Sequence, residues 1–259
     1  MGFVFETKGG LGYFRAENIK AKHGFSTRMG GVSVLPHLFS LNLAFGRGDD
    51  EDTVRKNIEI FCSAIEVPQD SVISAKQIHS AKVLRVGPED KGLESTECDG
   101  FVTDKKGVTL CVKVADCVPV LLCDGERRIV SAVHAGWRGS AAGICVNAVR
   151  EMLKIGADIK NINAAIGPSI HSCCFEVGED YREALKDMLG SKSERYIIQK
   201  NGSLFSDIVR MNRDMLLEAG LKEENICESG RCSCCEPELF FSHRASKGKR
   251  GTMAAMISL

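Results

Sequence analysis

The sequence predicts an α+β fold, and three features carry that expectation. Between residues 83 and 133 nearly every segment has the alternating or continuous apolar pattern of a strand. Helical patterns follow at about 141–155, 179–189 and 204–219 rather than alternating with the strands, which argues against a regular βαβ repeat. No internal repeat, low-complexity tract or Gly/Ser/Pro linker divides the chain, so residues 1–259 read as one domain.

Taken in order, short strands are expected near 3–5 and 22–25. HGFSTRMGG at 23–31 then reads as a polar loop able to line a pocket. SLNL at 40–43 and the turn Gly46, Arg47, Gly48 lead into DDED, acidic residues suited to the first turn of a helix. Val54, Ile58, Phe61 and Ile65 give that helix one apolar face, and Pro68 is expected to stop it. His79 falls on a short connection between strands at 72–75 and 83–86, and Asp99 with Gly100 forms a turn entering another strand. The strand before Cys117 alternates, the one after it is continuously apolar, and the strand at 129–133 ends on His134. Gly136 and Gly139 then suit a loop passing close to a ligand, with a helix starting near Ser140 whose free N–H groups would favour an anion beside Arg138.

Composition narrows the function. Lys and Arg total 34 and so do Asp and Glu, so no global field recruits nucleic acid or acidic lipid. No apolar run approaches a membrane span, and the start, MGFVFETKGG, lacks the basic and apolar regions of an export signal. A cytoplasmic protein is therefore expected, with its twelve cysteines as reduced thiols. Cys232 and Cys235 have half a zinc-ribbon spacing, but the matching second pair is missing. Neither Cys227 nor Cys234 makes a convincing completion, and the adjacent Cys173 and Cys174 would point opposite ways on an extended backbone, so structural packing is expected for this group.

The chemistry concentrates on His79, Cys117 and His134. Two imidazoles and a thiolate suit zinc and leave a fourth position open, as in catalytic sites. Cys117 with His134 as its base would equally make a metal-free nucleophilic dyad, and a buried, inert Cys117 is the third reading. Spacing alone does not choose among them.

ADCVPVLLCD, VHAGWRG, QIH, HGFSTRMGGVS, SLNL, RGDD, IGPS…CCFEVG and ELFFSHR resemble the signatures of the YfiH-like laccase-domain family, over about residues 23–259. Its members were once described as polyphenol oxidases and now as purine nucleoside phosphorylases. The resemblance implies a cytosolic single domain of mixed α/β architecture similar to the cytotoxic necrotising factor deamidases. It places zinc on His79, Cys117 and His134. It further implies phosphorolysis of adenosine, inosine and S-methyl-5'-thioadenosine, with adenosine deamination as a second activity. Asn42, Arg47, Arg138 and Arg28 are the candidates for contacting sugar or phosphate. Gly136 stands where the glutamate of the nucleobase zinc deaminases would be, so deamination would need another proton carrier. Of six histidines only four remain beyond the two ligands, too few for a multicopper centre. A metal-free cysteine hydrolase or deamidase is the enzymatic alternative, and a zinc-stabilised factor in peptidoglycan editing the non-enzymatic one.

Overall fold

The computed structural model describes residues 2–259, the Glu94 side chain apart. The chain begins with β1 (Phe3–Lys8), β2 (Leu11–Ala16) and β3 (Lys22–Ser26), followed by α1 (Glu51–Ala64). Six strands come next: β4 (Val72–Ile73), β5 (Val83–Arg85), β6 (Gly100–Thr103), β7 (Thr109–Val114), β8 (Val118–Asp124) and β9 (Ile129–Ala135). Then come α2 (Trp137–Ala141), α3 (Ile144–Lys154), β10 (Ile162–Ile166), β11 (Glu176–Val177) and α4 (Glu179–Leu189). The remainder is β12 (Ile197–Lys200), β13 (Ser203–Ser206), α5 (Ile208–Glu218), β14 (Ile226–Glu228) and β15 (Met253–Ser258).

Two six-stranded mixed sheets stack face to face. One has the order β1-β2-β3-β15-β7-β4 and the other β14-β10-β8-β9-β6-β5, while β11, β13 and β12 form a small third sheet. The two-residue period of a strand explains the layering. Along β15, Met253, Ala255 and Ile257 face the second sheet, whereas Ala254 and Met256 face α1. Along β8, Val118, Val120 and Leu122 face the helices α3 and α5, whereas Leu121 and Cys123 face the first sheet. Four layers result, helix, sheet, sheet, helix, and both faces of both central strands are buried. The continuous apolar run of β8 in the sequence is the signature of that double burial.

The expected helix on DDED is present. Asp50 caps it, its carboxylate accepting the N–H groups of Asp52 and Thr53 at 3.0 and 3.1 Å. The helix stops at Ala64 rather than running to Pro68, because Glu66 turns the chain with φ +61°. The helix expected over 141–155 is two helices, broken where Gly143 takes φ +78°. The one expected over 204–219 begins later: 203–206 pairs as β13 with β11 and β12, and Asp207 caps α5 by accepting the Arg210 N–H at 3.0 Å. Part of HGFSTRMGG is strand rather than loop. His23 lies in β3 under the surface, and both of its ring nitrogens are used: Nδ1 bonds the Ala21 carbonyl at 2.8 Å and Nε2 accepts the Ala16 N–H at 2.9 Å.

Only the neutral imidazole can make both bonds, since Nε2 must carry a lone pair. Burial depresses the His23 pKa from 6.5 to about 4. A depressed folded pKa means that this contribution to stability is complete above pH 6.5 and is lost as the pH falls toward 4. Urea unfolding at pH 7 and pH 4.5 should therefore show a pH-dependent loss about 2 to 3 kcal/mol larger in the natural protein than in His23→Gln. Equal losses in the two proteins would show that His23 does not titrate on unfolding in this range.

Candidate metal centre and cavity

His79 and Cys117 come from two different connections and His134 from the end of β9, and the three meet at one point. Their donor atoms all lie within 4.8 Å of one another, and the two imidazole rings stand 4.9 Å apart at 80°. Each ligand is placed by a neighbour. His134 ends β9, buried, and its Nδ1 donates to the Asp99 carboxylate at 2.8 Å, which leaves Nε2 as its free nitrogen. His79 sits in the left-handed region at φ +60°, a conformation that costs about 1 to 2 kcal/mol for a residue with a Cβ. Asp99 stabilises it there: the same fully buried carboxylate accepts the N–H groups of Ile78, His79 and Ser80 and the Ser80 hydroxyl, at 2.7 to 3.2 Å.

Cys117 follows Asp116, another residue at positive φ (+90°), in the turn between β7 and β8. Asp116 is fixed from the far end of the chain, because its carboxylate accepts the Ser233 hydroxyl and the Arg244 N–H, both at 2.7 Å. Its carbonyl accepts the Ile170 N–H at 2.9 Å. Two aspartates thus hold the two ligand-bearing turns.

The glycines after His134 serve a different contact from the one expected. Gly136 is the N-cap of α2 and Gly139 lies inside that helix, so no helix begins at Ser140. A Cβ on Gly136 would stand 2.2 Å from His79 Nδ1, and one on Gly139 would stand 2.5 Å from the Ser80 carbonyl oxygen. Both are glycine because the 79–80 turn packs directly against α2. The five-residue helix offers no anion site of the expected kind, and Arg138 lies over the Trp137 ring at 4.2 Å.

Electrostatics follow from this arrangement. Burial would raise the Asp99 pKa, but hydrogen bonds from His134 and Ser80 outweigh it and hold the carboxyl at about 2. Burial opposes charge on His134, yet Cys117 and Asp99 beside it raise its pKa to about 9 without metal. His79 is shifted down, by burial first and then by the neighbouring His134. A carboxylate behind one imidazole, two imidazoles and a thiol suit a thiophilic divalent cation, with room for a further ligand on the open side. These residues form a candidate metal-binding group.

That open side faces a cavity of about 780 Å³. Phe45, Trp137, Phe175 and Ile208 supply apolar walls, and Arg47, Arg244 and Arg250 supply positive charge. Arg250 is the most confined of the three: burial and then the Arg47 charge push its pKa down, and its buried Nε has no hydrogen-bond partner. A larger concavity of about 930 Å³ is lined by Glu6, Arg15, Lys20 and Lys22, but among the described residues no convergent donor set lies in it, and it shares no lining residue with the candidate metal group.

Of the four residues expected to contact sugar or phosphate, Arg47 alone lines the cavity. Asn42 is completely buried; its amide donates to the Ala44 carbonyl and its oxygen accepts the Thr252 N–H, both of which are cavity-wall residues. Arg28 bonds the carbonyls of Phe39 and Pro237, both at 2.8 Å, and lies over the Phe241 ring. Loop polarity in sequence does not separate a residue that lines a cavity from one that braces its wall. Asp99 and Asp116 were missed in the sequence because their side-chain partners lie 19 to 128 residues away, and Arg250 because its place in the cavity wall depends on residues far from it in the chain. Their only local sign was a turn or a basic tail.

Replacing Asp99 by Asn keeps the volume and removes the charge-assisted acceptor of His134. Metal affinity of Asp99→Asn, measured by competition with a chromogenic chelator, should fall about tenfold to a hundredfold while the protein stays folded. Unchanged affinity would mean that packing alone orients His134.

The family model described as multi-copper polyphenol oxidoreductase laccase matches residues 22–259. A purine nucleoside phosphorylase of Deinococcus radiodurans is 35% identical over 253 residues, covering 98% of this chain and 95% of its own. A protein from an unknown prokaryotic organism, named adenosine deaminase RL5, is 34% identical over 239 residues, covering 88% and 90%. Among solved structures, protein YfiH of Bacillus licheniformis superimposes with a TM-score of 0.89 at 30% identity, covering 98% of both chains.

Proposed function

This chain belongs to the multi-copper polyphenol oxidoreductase laccase family, and from that premise we propose that it is a zinc-dependent purine nucleoside phosphorylase with adenosine deaminase activity. Its substrates are adenosine, inosine and S-methyl-5'-thioadenosine together with phosphate, and one cytoplasmic domain over residues 1–259 carries the reaction. The family's descriptive name fits the residues poorly. Among the described residues only His79 and His134 join a metal-binding group, and His23 is spent on backbone bonds. Too few imidazoles remain for a multicopper centre.

The observation that supports this reading best is the pairing, in one cavity, of a three-donor metal group with Arg47 and Arg250, two guanidiniums near enough for the Arg47 charge to act on Arg250. Phosphorolysis needs an anion site beside the sugar. Arg47 and Arg250 supply it, the unpartnered Arg250 Nε being a buried donor that a phosphate oxygen would satisfy. The purine stacks among Phe45, Trp137 and Phe175, whose rings offer large apolar area with little entropy to lose. Zinc on His79, Cys117 and His134 supplies Lewis acidity and water activation near neutral pH. Asp99 keeps His134 in the tautomer whose Nε2 faces the cavity. Asn42 braces the wall, Arg28 bonds the carbonyls of Phe39 and Pro237, and Arg138 lies over the Trp137 ring.

One observation favours a second reading. Asp99, His134 and Cys117 also stand in the order orienter, base, nucleophile, with Cys117 within hydrogen-bonding reach of His134. A metal-free cysteine hydrolase would use that arrangement.

Incubating metal-analysed protein with adenosine, with and without phosphate, and identifying products by mass separates the readings. Adenine and ribose 1-phosphate should form with phosphate, inosine should form without it, and both should stop when zinc is removed. Activity that survives zinc removal but not alkylation of Cys117 would favour the hydrolase. Arg47→Ala should raise the phosphate KM about tenfold to a hundredfold, from the loss of roughly 1.5 to 3 kcal/mol of charge-assisted bonding, and spare deamination. An unchanged phosphate KM would put the anion elsewhere.

A further inference from the structure

Cys173, Cys174, Cys232 and Cys235 form a second convergent donor set. All four sulfurs lie within 4.8 Å of one another, although the pairs are some 60 residues apart in the chain. The expectation that Cys173 and Cys174 would diverge fails because that segment is a turn, not an extended strand. The N–H groups of Cys174 and Phe175 both reach the His171 carbonyl at 2.9 Å, and the turn aims both sulfurs at Cys235. The second pair sits on a matching turn, where the N–H groups of Cys235 and Glu236 reach the Cys232 carbonyl at 3.2 Å. A bridge between Ser169 and Cys232, with the Ser233 N–H on the Ser169 carbonyl at 2.9 Å, holds the two turns side by side.

Packing alone does not account for the cluster. Cys62, Cys98, Cys111, Cys123 and Cys145 are buried in the cores, the usual place of an inert thiol, whereas Cys173 and Cys235 are exposed and Cys174 is half-buried. A disulfide does not account for it either: Cys235 Sγ is 3.5 Å from Cys173 Sγ and 3.3 Å from Cys174 Sγ, against about 2.05 Å for the bond. Those separations approach the edge of a tetrahedron of sulfurs around zinc, about 3.8 Å for a Zn–S distance of roughly 2.3 Å. Burial opposes a thiolate at Cys232, but the nearby backbone N–H groups of His171, Cys235 and Cys234 favour it and the thiol is shifted down, as suits a metal-binding thiolate.

We propose that Cys173, Cys174, Cys232 and Cys235 bind a second zinc ion in a closed four-thiolate structural site that stitches the 171–175 turn to the 232–236 turn beside the cavity. The site bears on the first one through the cavity wall. Phe175 and Ile170 line the cavity, the Cys174 carbonyl accepts Arg244 Nη1 at 3.2 Å, and Ser233 holds Asp116 next to Cys117. The ion would therefore fix a wall, with no open position for substrate.

The proposal stands apart from the assignment of activity, and metal counting tests it. Protein produced with added zinc should contain two zinc ions per chain, Cys117→Ala one, and Cys173→Ser/Cys235→Ser one. With cobalt in place of zinc, Cys117→Ala should show the strong thiolate charge-transfer bands of a tetrathiolate centre, absent from Cys117→Ala/Cys235→Ser. In the natural protein, thiol reagent should label Cys173 and Cys235 slowly until chelator is added, a measurement that needs no variant to fold. A metal-free Cys117→Ala protein that stays folded, a disulfide among the four cysteines, or iron in place of zinc would each overturn the proposal. So would rapid labelling of both exposed thiols without chelator.

Discussion

The candidate site depends first on the Asp99 carboxylate. It accepts three consecutive backbone N–H groups, one hydroxyl and one imidazole, with no exposure to solvent. A buried charge is costly unless such bonds surround it, and here they more than offset the cost. The consequence is geometric. One anion holds His79 in a backbone conformation that it would otherwise avoid and holds His134 in a single tautomer, so the two rings of the candidate metal group are fixed by the same carboxylate. Their edge-to-face contact follows from that shared anchor.

Asp116 does for Cys117 what Asp99 does for the histidines, but it draws on the opposite end of the sequence. Its partners Ser233 and Arg244 belong to the tail between β14 and β15, and β15 then returns to the middle of the first sheet, between β3 and β7. The tail is therefore part of the site's frame. The close approach of α2 to the 79–80 turn closes the other side, and it is possible only because Gly136 and Gly139 carry no Cβ. Strain, buried charge and missing side chains collect around the same three donors, a concentration that functional sites tolerate and surrounding packing supports.

Much of the fold was legible locally. The double burial of β8, the capped start of α1 at Asp50 and the strand-rich centre all leave periodic or capping patterns within a few residues. The helix breaks were less legible. A glycine at positive φ split one expected helix at Gly143, and a short, half-buried segment paired as β13 because partner strands were available. β15 runs MAAMIS, an apolar stretch whose two faces are both buried, and nothing local marks it as the strand that joins the first sheet's two halves.

The sequence by itself determined the α+β class and the family resemblance, and it singled out His79, Cys117 and His134 as candidates, because those rest on residue type and on short local motifs. Tertiary structure alone decided which polar residues serve them. Asp99 and Asp116 act through contacts that span long stretches of chain, Asn42 bonds two residues of the cavity wall, and Arg28 bonds the carbonyls of Phe39 and Pro237 instead of lining the cavity. It also decided that the Cys232 and Cys235 pair, which lacks a partner pair at ribbon spacing in sequence, meets Cys173 and Cys174 in one cluster. Sequence records chemistry and local period; which distant side chains converge is set by sheet order and by turns, and these depend on burial shared across the whole chain.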